Sequence, residues 1–344
     1  MKAITIPRHG ERDVLTYTSD QPTPVPVSGE VLIQIACTGI NHVDLVVRRG
    51  YPSIPIPLPH IPGGDITGTV LEAGPDVSRD LIGKRVVVYP LIACGKCQLC
   101  REGRPNLCLG WKYFGLHLKG GYAEYCTVPA GNCFVLPDSI SFDSAAGLPI
   151  AGLTALHALK GVGGLSAGQT FFIWGGAGGL GTIAIQIAKR LGATVIATAG
   201  SDDRLALMTS LGADHVFNRK RDDVPAEVMK LCPAGVDLII DYVGPETFPK
   251  SFQMVKKGGR ILLCGIITGR EVPNFSLHMT YLRHLSIQGL YLGTKVEMQE
   301  IIDLAASGAV KVQVGAELPL AEAARAQQML EEGAVAGKIV LRVA

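Results

Sequence analysis

Four cysteines, Cys94, Cys97, Cys100 and Cys108, fall in the run CGKCQLCREGRPNLC. The spacing C-x2-C-x2-C-x7-C curls a short loop around one point. Four thiolates at about 2.3 Å from one ion fill a tetrahedral zinc shell and leave no position for substrate. The chemistry expected here is therefore structural, one closed Zn2+ per subunit. Gly95 and Gly103 permit the tight reversals, and Lys96, Arg101 and Arg104 offset the negative charge of a tetrathiolate. A disulfide pair is the competing reading. It is disfavoured because the stretch after Met1 carries no apolar signal segment and the chain is far larger than a disulfide-framework domain. The other cysteines, Cys37, Cys126, Cys133, Cys232 and Cys264, form no such cluster and read as reduced core thiols.

A second constellation is Gly176-Ala177-Gly178-Gly179-Leu180-Gly181, which fits G-x-G-x-x-G. In a glycine-rich chain that pattern is weak alone. Its context strengthens it, because a strand-like run, Thr170–Trp174, precedes it and an amphipathic helical run follows. Gly176 allows the tight turn, Gly178 lets backbone approach a pyrophosphate, and Gly181 lets helix pack on strand. Unpaired N–H groups at the helix start, from Gly179 and Leu180 on, then meet the phosphates. An NAD site usually carries Asp or Glu about 20 residues beyond the first glycine. Here that region reads Thr198-Ala199-Gly200-Ser201, with Arg204 just beyond and Arg219 and Lys220 after the next strand. A hydroxyl and guanidinium groups suit a 2′-phosphate through charge-assisted hydrogen bonds. NADPH rather than NADH is the expected cofactor. Asp202 and Asp203, at a helix start, are read as complementing its dipole.

These motifs need elements to position them. At 344 residues the prior is two domains. With 18% charged and 47% hydrophobic residues, disorder is excluded. A net charge of +2 with intermixed signs gives no basic stripe for nucleic acid, and no apolar run of 18 or more residues spans a bilayer. The expectation is a soluble, cytoplasmic protein acting on a small molecule. The first third reads as β-rich, with strands at Val31–Ile35, Arg85–Tyr89 and Tyr125–Val128, and prolines from Pro52 to Pro62 hold an extended loop. From about Ala145, short apolar runs alternate with helical ones. Strands are expected at Thr170–Trp174, Thr194–Ala199, His215–Phe217, Val236–Asp241, Arg260–Cys264 and Leu285–Leu290. Helices are expected at Leu180–Leu191, Arg204–Ser210, Val224–Leu231 and Phe248–Val255. That alternation predicts right-handed βαβ crossovers and a parallel sheet. A further helix at Val296–Ser307 and a closing strand at Lys338–Val343 follow. Cys264, at the end of its strand, joins the glycine turn among the cofactor-binding residues.

The zinc lobe at about 90–110, the turn GGAGGLG and the DYVG of Asp241–Gly244 resemble the medium-chain dehydrogenase/reductase superfamily over nearly the whole chain. The resemblance implies an α/β protein. A GroES-like, β-rich catalytic domain would take residues 1–147 and 292–344. A doubly wound, parallel-sheet Rossmann domain would take residues 148–291. It also implies homodimers joined through the last Rossmann strand, sometimes paired into homotetramers. Zinc alcohol dehydrogenases of this superfamily carry a catalytic ligand cysteine where this chain has Asn41, and a ligand histidine where it has Gly64. Their third ligand falls near Leu148–Gly152, and Val46 replaces a proton-relay histidine. The resemblance thus implies a kept structural zinc and a vacated catalytic one.

Asn41 and Asp44 match the N-x-x-D of quinone oxidoreductases and enoyl reductases, and Tyr51 lies about where enoyl reductases place a substrate tyrosine. His42 aligns with a position facing the cofactor pyrophosphate, and Asp44 is read as structural. The expected chemistry is hydride transfer from NADPH to a quinone or an activated alkene. Asn41 is the candidate donor to the oxygen that gains charge, and Tyr51 or water returns the proton. Two rivals are an alcohol dehydrogenase with a non-standard metal site built from His42, His60 and Asp65, and a non-catalytic, redox-sensing NADPH-binding protein.

Overall fold

The computed structural model describes residues 1–51 and 53–343. Pro52, the first of the prolines expected to hold the loop before Gly63 extended, lies outside the described residues. The chain divides into two compact units, Met1–Leu153 with Thr294–Ala344, and Thr154–Gly293. The first crossover falls later than the expected residue 148 because a continuous helical run, Phe142–Val162, carries the chain across it. By length and composition this run is the one helix among the described residues apolar enough to cross a bilayer. Its most apolar window is 72% buried within the protein, as expected of a core helix that is apolar all round.

In the first unit the chain enters β1 (Glu30–Gly39), turns through α1 (His42–Arg49), and continues into β2 (Thr67–Ala73), β3 (Arg85–Val88), β4 (Tyr125–Pro129) and β5 (Cys133–Val135). Val31, Ile33 and Ile35, alternate residues of β1, share one face and pack with Val70, Val86, Val88, Cys126 and Val128. β4 and β2 flank β1, each antiparallel to it.

The second unit is a six-stranded sheet. Its strands are β6 (Thr170–Ile173), β7 (Thr194–Ala199), β8 (His215–Asn218), β9 (Val236–Asp241), β10 (Val255–Leu263) and β11 (Ser286–Gly289). Between them run α2 (Gly179–Arg190), α3 (Asp203–Ser210), α4 (Val224–Leu231), α5 (Phe248–Met254) and α6 (Leu277–Leu282). Every pairing is parallel, in the order β8-β7-β6-β9-β10-β11. The order reverses between β6 and β9, the switch point where such sheets bind ligands at the carboxyl ends of their strands. β9 and the inner part of β6 are fully buried, as a sheet covered on both faces requires.

The chain then returns to the first unit through α7 (Lys295–Ala306), β12 (Val314–Pro319), α8 (Ala323–Glu331) and β13 (Lys338–Arg342). β13 pairs antiparallel with β1, Val340 opposite Gly39 and Leu341 opposite Thr38. That register sets Lys338 beside the end of β1. α1 is held against α8 by a fully buried guanidinium. Arg48 donates to Gln327 Oε1 and Glu331 Oε1, both at 2.7 Å, and to Glu11 at 3.3 Å. Arg49 donates to the same Glu331 oxygen. The short helices α1, α6 and α8 are absent from the sequence reading. α1 is rich in β-branched valine, and α6 buries no residue that would give it a period.

Candidate functional site

The four lobe cysteines converge. Their sulfurs all lie within 4.8 Å of one another. Cys94–Cys100 and Cys97–Cys108 are both at 3.9 Å and Cys97–Cys100 at 3.4 Å. A tetrahedron with sulfurs about 2.3 Å from its centre has edges of about 3.8 Å, so the residues present fit zinc. The backbone N–H of Cys94 points at Cys108 Sγ, and that of Cys97 at Cys94 Sγ. The amides of Lys96 first and Cys97 second hold the Cys94 thiol below its ordinary value, favouring the thiolate a metal needs.

The glycine turn sits at the end of β6, at the switch point. Gly175 has φ +66°, the left-handed conformation that opens the turn, one residue before the motif as read. A Cβ on Gly181 would overlap the Gly175 carbonyl at 2.5 Å, so α2 starts pressed on the turn. A Cβ on Gly178 would meet nothing closer than 3.5 Å, which leaves open space where a phosphate needs to approach. α2 begins at Gly179 and Leu180 with no side chain capping it, leaving its first N–H groups for an anion. Tyr242 donates to the Gly175 carbonyl at 2.6 Å and braces the turn from β9. Cys264 directly follows β10, near Tyr242, with burial pushing its thiol up to about 12. It is therefore un-ionised at neutral pH.

Beyond β7, the Arg219 guanidinium lies against Gly200, both terminal nitrogens 3.3 Å from the position a Cβ would take. Arg204 is the second residue of α3, and Ser201 donates to Asp203, holding that carboxyl below its usual range. Asp202 accepts from Arg221 at 2.8 and 2.9 Å and from Asn218 at 3.0 Å. Asp202 is therefore occupied, while an arginine borders the end of β7.

Asn41 joins β1 to α1, and its amide is committed on every side. Nδ2 donates to Asp65 Oδ2 at 2.7 Å and to the Gly39 carbonyl at 3.3 Å, and Oδ1 accepts from Lys338 Nζ at 2.6 Å. Lys338 and Asp65 close the triangle at 2.7 Å. The other Asp65 oxygen accepts from the Ile150 N–H at 3.0 Å. Burial drives the Asp65 pKa up, and Lys338 is the largest influence pulling it back. Asp44 accepts from the Asn41 N–H at 2.8 Å and from Tyr122 at 3.1 Å. Burial pushes it up to about 7, fitting the structural role read for it. His42 begins α1, and burial followed by Lys338 lowers it to about 4, so it is neutral at pH 7. Tyr51 follows Gly50, which ends α1, whereas Asn41 caps its start. At Gly64, a Cβ would overlap the Tyr113 hydroxyl. Among the described residues, the lobe cysteines are the one group of three or more such side chains with converging donor atoms, so His42, His60 and Asp65 form no ligand set.

The family model of the alcohol dehydrogenase GroES-like domain matches residues 27–138, and that of zinc-binding dehydrogenases matches residues 179–307. An alcohol dehydrogenase of Geobacillus stearothermophilus is 36% identical over 317 residues, 92% of each chain. A quinone oxidoreductase of Mus musculus is 30% identical over 351 residues, covering 99% of this chain and 97% of the relative. The crystal structure of an NAD-dependent alcohol dehydrogenase superposes with a TM-score of 0.94 at 36% identity over 100% of both chains. A mycobacterial protein solved in complex with NADPH gives 0.84 at 30% identity, again over 100% of both. The chain belongs to the medium-chain dehydrogenase/reductase superfamily.

As a member of that superfamily the chain is an oxidoreductase using a nicotinamide cofactor, with zinc-binding capacity in its cysteine lobe. Gly175, Tyr113, Tyr242 and Lys338 escaped the sequence reading, and Asp65 entered it only as a rival metal ligand. For Gly175 the signal was present, a third glycine in the run Gly175–Gly176–Ala177–Gly178. For Lys338 it was not, because Lys338 and Asn41 are separated by 297 positions. The lobe geometry yields a direct expectation. Protein purified without added metal should carry about one zinc per chain, and Cys97→Ser should lose it and melt several degrees lower. Its surviving folded fraction should keep full specific activity. A stable Cys97→Ser protein with abolished turnover would show the lobe to be part of the chemistry.

Proposed function

We propose that this medium-chain dehydrogenase/reductase is an NADPH-dependent reductase of quinones or activated alkenes that works without a catalytic zinc. The observation that carries the reading is the state of the vacated ligand positions. Asn41 is bound to Lys338 and Asp65, and the Tyr113 hydroxyl fills the space a side chain at Gly64 would need. Three protein ligands are the usual requirement of an open catalytic zinc, and the residues here do not fit one. The glycine turn would hold the pyrophosphate, and the cofactor supplies a hydride. The acceptor gains that hydride and a proton, two electrons in all, and an enone or quinone spreads the incoming charge onto its own oxygen. An unactivated alcohol running the reverse way must shed a proton with no metal to stabilise its alkoxide. The likeness to an NAD-dependent alcohol dehydrogenase favours a second reading, zinc-type alcohol oxidation, and the same assay separates the two. With NADPH, turnover should appear on quinones or enones and persist after prolonged chelation that spares the tetrathiolate. Chelator-sensitive oxidation of benzyl alcohol would establish the second reading instead.

The preference for NADPH rests on Arg219 against Gly200, Arg204 in the first turn of α3, and the occupied Asp202. A charge-assisted contact to a 2′-phosphate contributes roughly 1.5–3 kcal/mol, about 10- to 150-fold in affinity. Arg219→Ala and Arg204→Ala should each weaken NADPH on that scale and leave NADH nearly unchanged in fluorescence titrations. Equal losses for both cofactors, or a wild type that prefers NADH, would refute this cofactor choice.

The proposed homodimer uses β11. It ends the sheet with one edge unpaired, and α6 just before it exposes Leu277, Met279, Tyr281 and Leu282. Sedimentation at micromolar concentration should give twice the mass of one chain or a multiple of that, and a single-chain mass would refute the dimer.

A further inference from the structure

The last residue of β9, Asp241, and its neighbour Tyr242 reach the glycine turn by two routes. Asp241 Oδ2 accepts from the Ser251 hydroxyl at 2.7 Å, and Ser251, on α5, accepts from Trp174 Nε1 at 2.7 Å. Tyr242 donates to the Gly175 carbonyl at 2.6 Å. Trp174 and Gly175 are the two residues that lead from β6 into Gly176. We infer that Asp241 and Tyr242 are positioning residues for the cofactor pyrophosphate, fixing how the N–H groups at the start of α2 are presented to it. The inference goes beyond the choice of acceptor and holds for NADPH and NADH alike, since both carry that pyrophosphate.

A turn of glycines holds its own shape poorly. Gly175, Gly176, Gly178, Gly179 and Gly181 carry no side chains, and glycine loses more conformational freedom on ordering than any other residue. Contacts from outside must therefore set its shape. The Gly175 carbonyl accepts twice, from the Tyr242 hydroxyl and from the Gly178 N–H at 3.0 Å. The Gly176 N–H donates to the Thr198 carbonyl at 2.7 Å, which ties the turn to β7. Gly178 thus uses its amide inside the turn, and the anion is left with Gly179 and Leu180, which no side chain caps. The direction of those two N–H groups follows from the Gly175 peptide, because the Gly178 bond hangs on its carbonyl. A Cβ on Gly175 would collide with the Tyr242 hydroxyl, and one on Gly178 would stand 3.5 Å from it, so the phenol lies against both glycines. Burial first, and Cys264 second, raise the phenol pKa, so it remains a donor at neutral pH. Asp241 is fully buried, and its other oxygen accepts from Val243, Gly244 and Thr247, so it acts on the turn through its neighbours. A ligand that finds its amides already ordered binds with less loss of conformational freedom.

The test uses zinc-loaded, full-length protein with Tyr242→Phe, which removes one hydroxyl and keeps the ring, and Ser251→Ala, which cuts the link to Trp174. NADPH, NADH, ADP-ribose and adenosine are titrated into each, beside hydrogen exchange of the cofactor-free proteins. Losing one hydrogen bond should weaken the three pyrophosphate ligands about 2- to 12-fold, by the same factor for each. Adenosine, which lacks the pyrophosphate, should bind as it does to the wild type. Exchange at the Gly176 and Gly178 amides should be slow in the wild type and faster in Tyr242→Phe. Ser251→Ala should give the same ligand pattern. If Tyr242→Phe fails to fold, Ser251→Ala and the wild-type exchange carry the test. Unchanged affinity for the pyrophosphate ligands would overturn the inference, whatever the melting temperature. An equal loss for adenosine would overturn it too, as a general loosening of the unit. Fast exchange of both amides in the wild type would show a turn that nothing braces, with the same consequence.

Discussion

The first unit depends on an ion pair buried at the meeting of distant chain segments. Lys338 opens the C-terminal strand, Asp65 precedes β2, and Asn41 links β1 to α1, with side-chain exposures of 3% for Lys338 and 0% for Asp65. Removing such charges from water costs several kcal/mol per ion, and the pair is tolerable only where short contacts and extra hydrogen bonds satisfy both partners. Here Asn41 and the Ile150 N–H provide them. Gly39 makes the room. A Cβ on it would lie 2.5 Å from Lys338 Cε and 2.6 Å from Asp65 Oδ2, so the end of β1 must be bare for the pair to form. The pairing of β13 with β1 and the start of α1 are thereby coupled to this ion pair, and the Arg48 cluster secures the other end of the same helix.

The second unit solves a different problem, holding backbone N–H groups open for an anion. Its parallel order brings β6 and β9 together, so Tyr242, just after β9, can brace Gly175, just after β6. Asp241 at the end of β9 accepts from the Val243 and Gly244 N–H groups, both at 3.1 Å, from Thr247 at 2.8 Å and from Ser251 at 2.7 Å. Ser251 in turn accepts from the Trp174 indole at 2.7 Å. The DYVG segment that carries the family resemblance is thus a buried acceptor hub, whose carboxylate fixes the loop beside the glycine turn.

What was legible in the sequence was what is encoded locally. β7, β9 and α4 lie at the residues expected, because fully buried strands and a proline-started helix announce themselves in a few consecutive positions. The tetrathiolate was legible for the same reason, its ligands spanning Cys94 to Cys108. The contacts around Asn41 were not. Asn41 was found through a motif, but its commitment to Lys338 depends on the register of β13 against β1, which no local pattern sets. Tyr113 was missed because its task is defined by volume. Only the space above Gly64 shows what the tyrosine hydroxyl occupies.

The same contrast between local and distant separates the cysteine lobe from the surroundings of Asn41 and Gly64. The lobe's ligands share one short loop, so a lost thiolate spoils a closed shell and part of the folding energy with it. No single neighbour can compensate. Asn41 and Gly64 lie on separate segments, and each has a different local surrounding. At Gly64 a tyrosine hydroxyl takes up vacated volume, which a well-packed interior requires because an empty slot forfeits dispersion contacts. At position 41 an amide replaces a thiolate, a neutral group that both accepts from a cation and donates to an anion. Asp65 is buried and pairs with Lys338 at 2.7 Å.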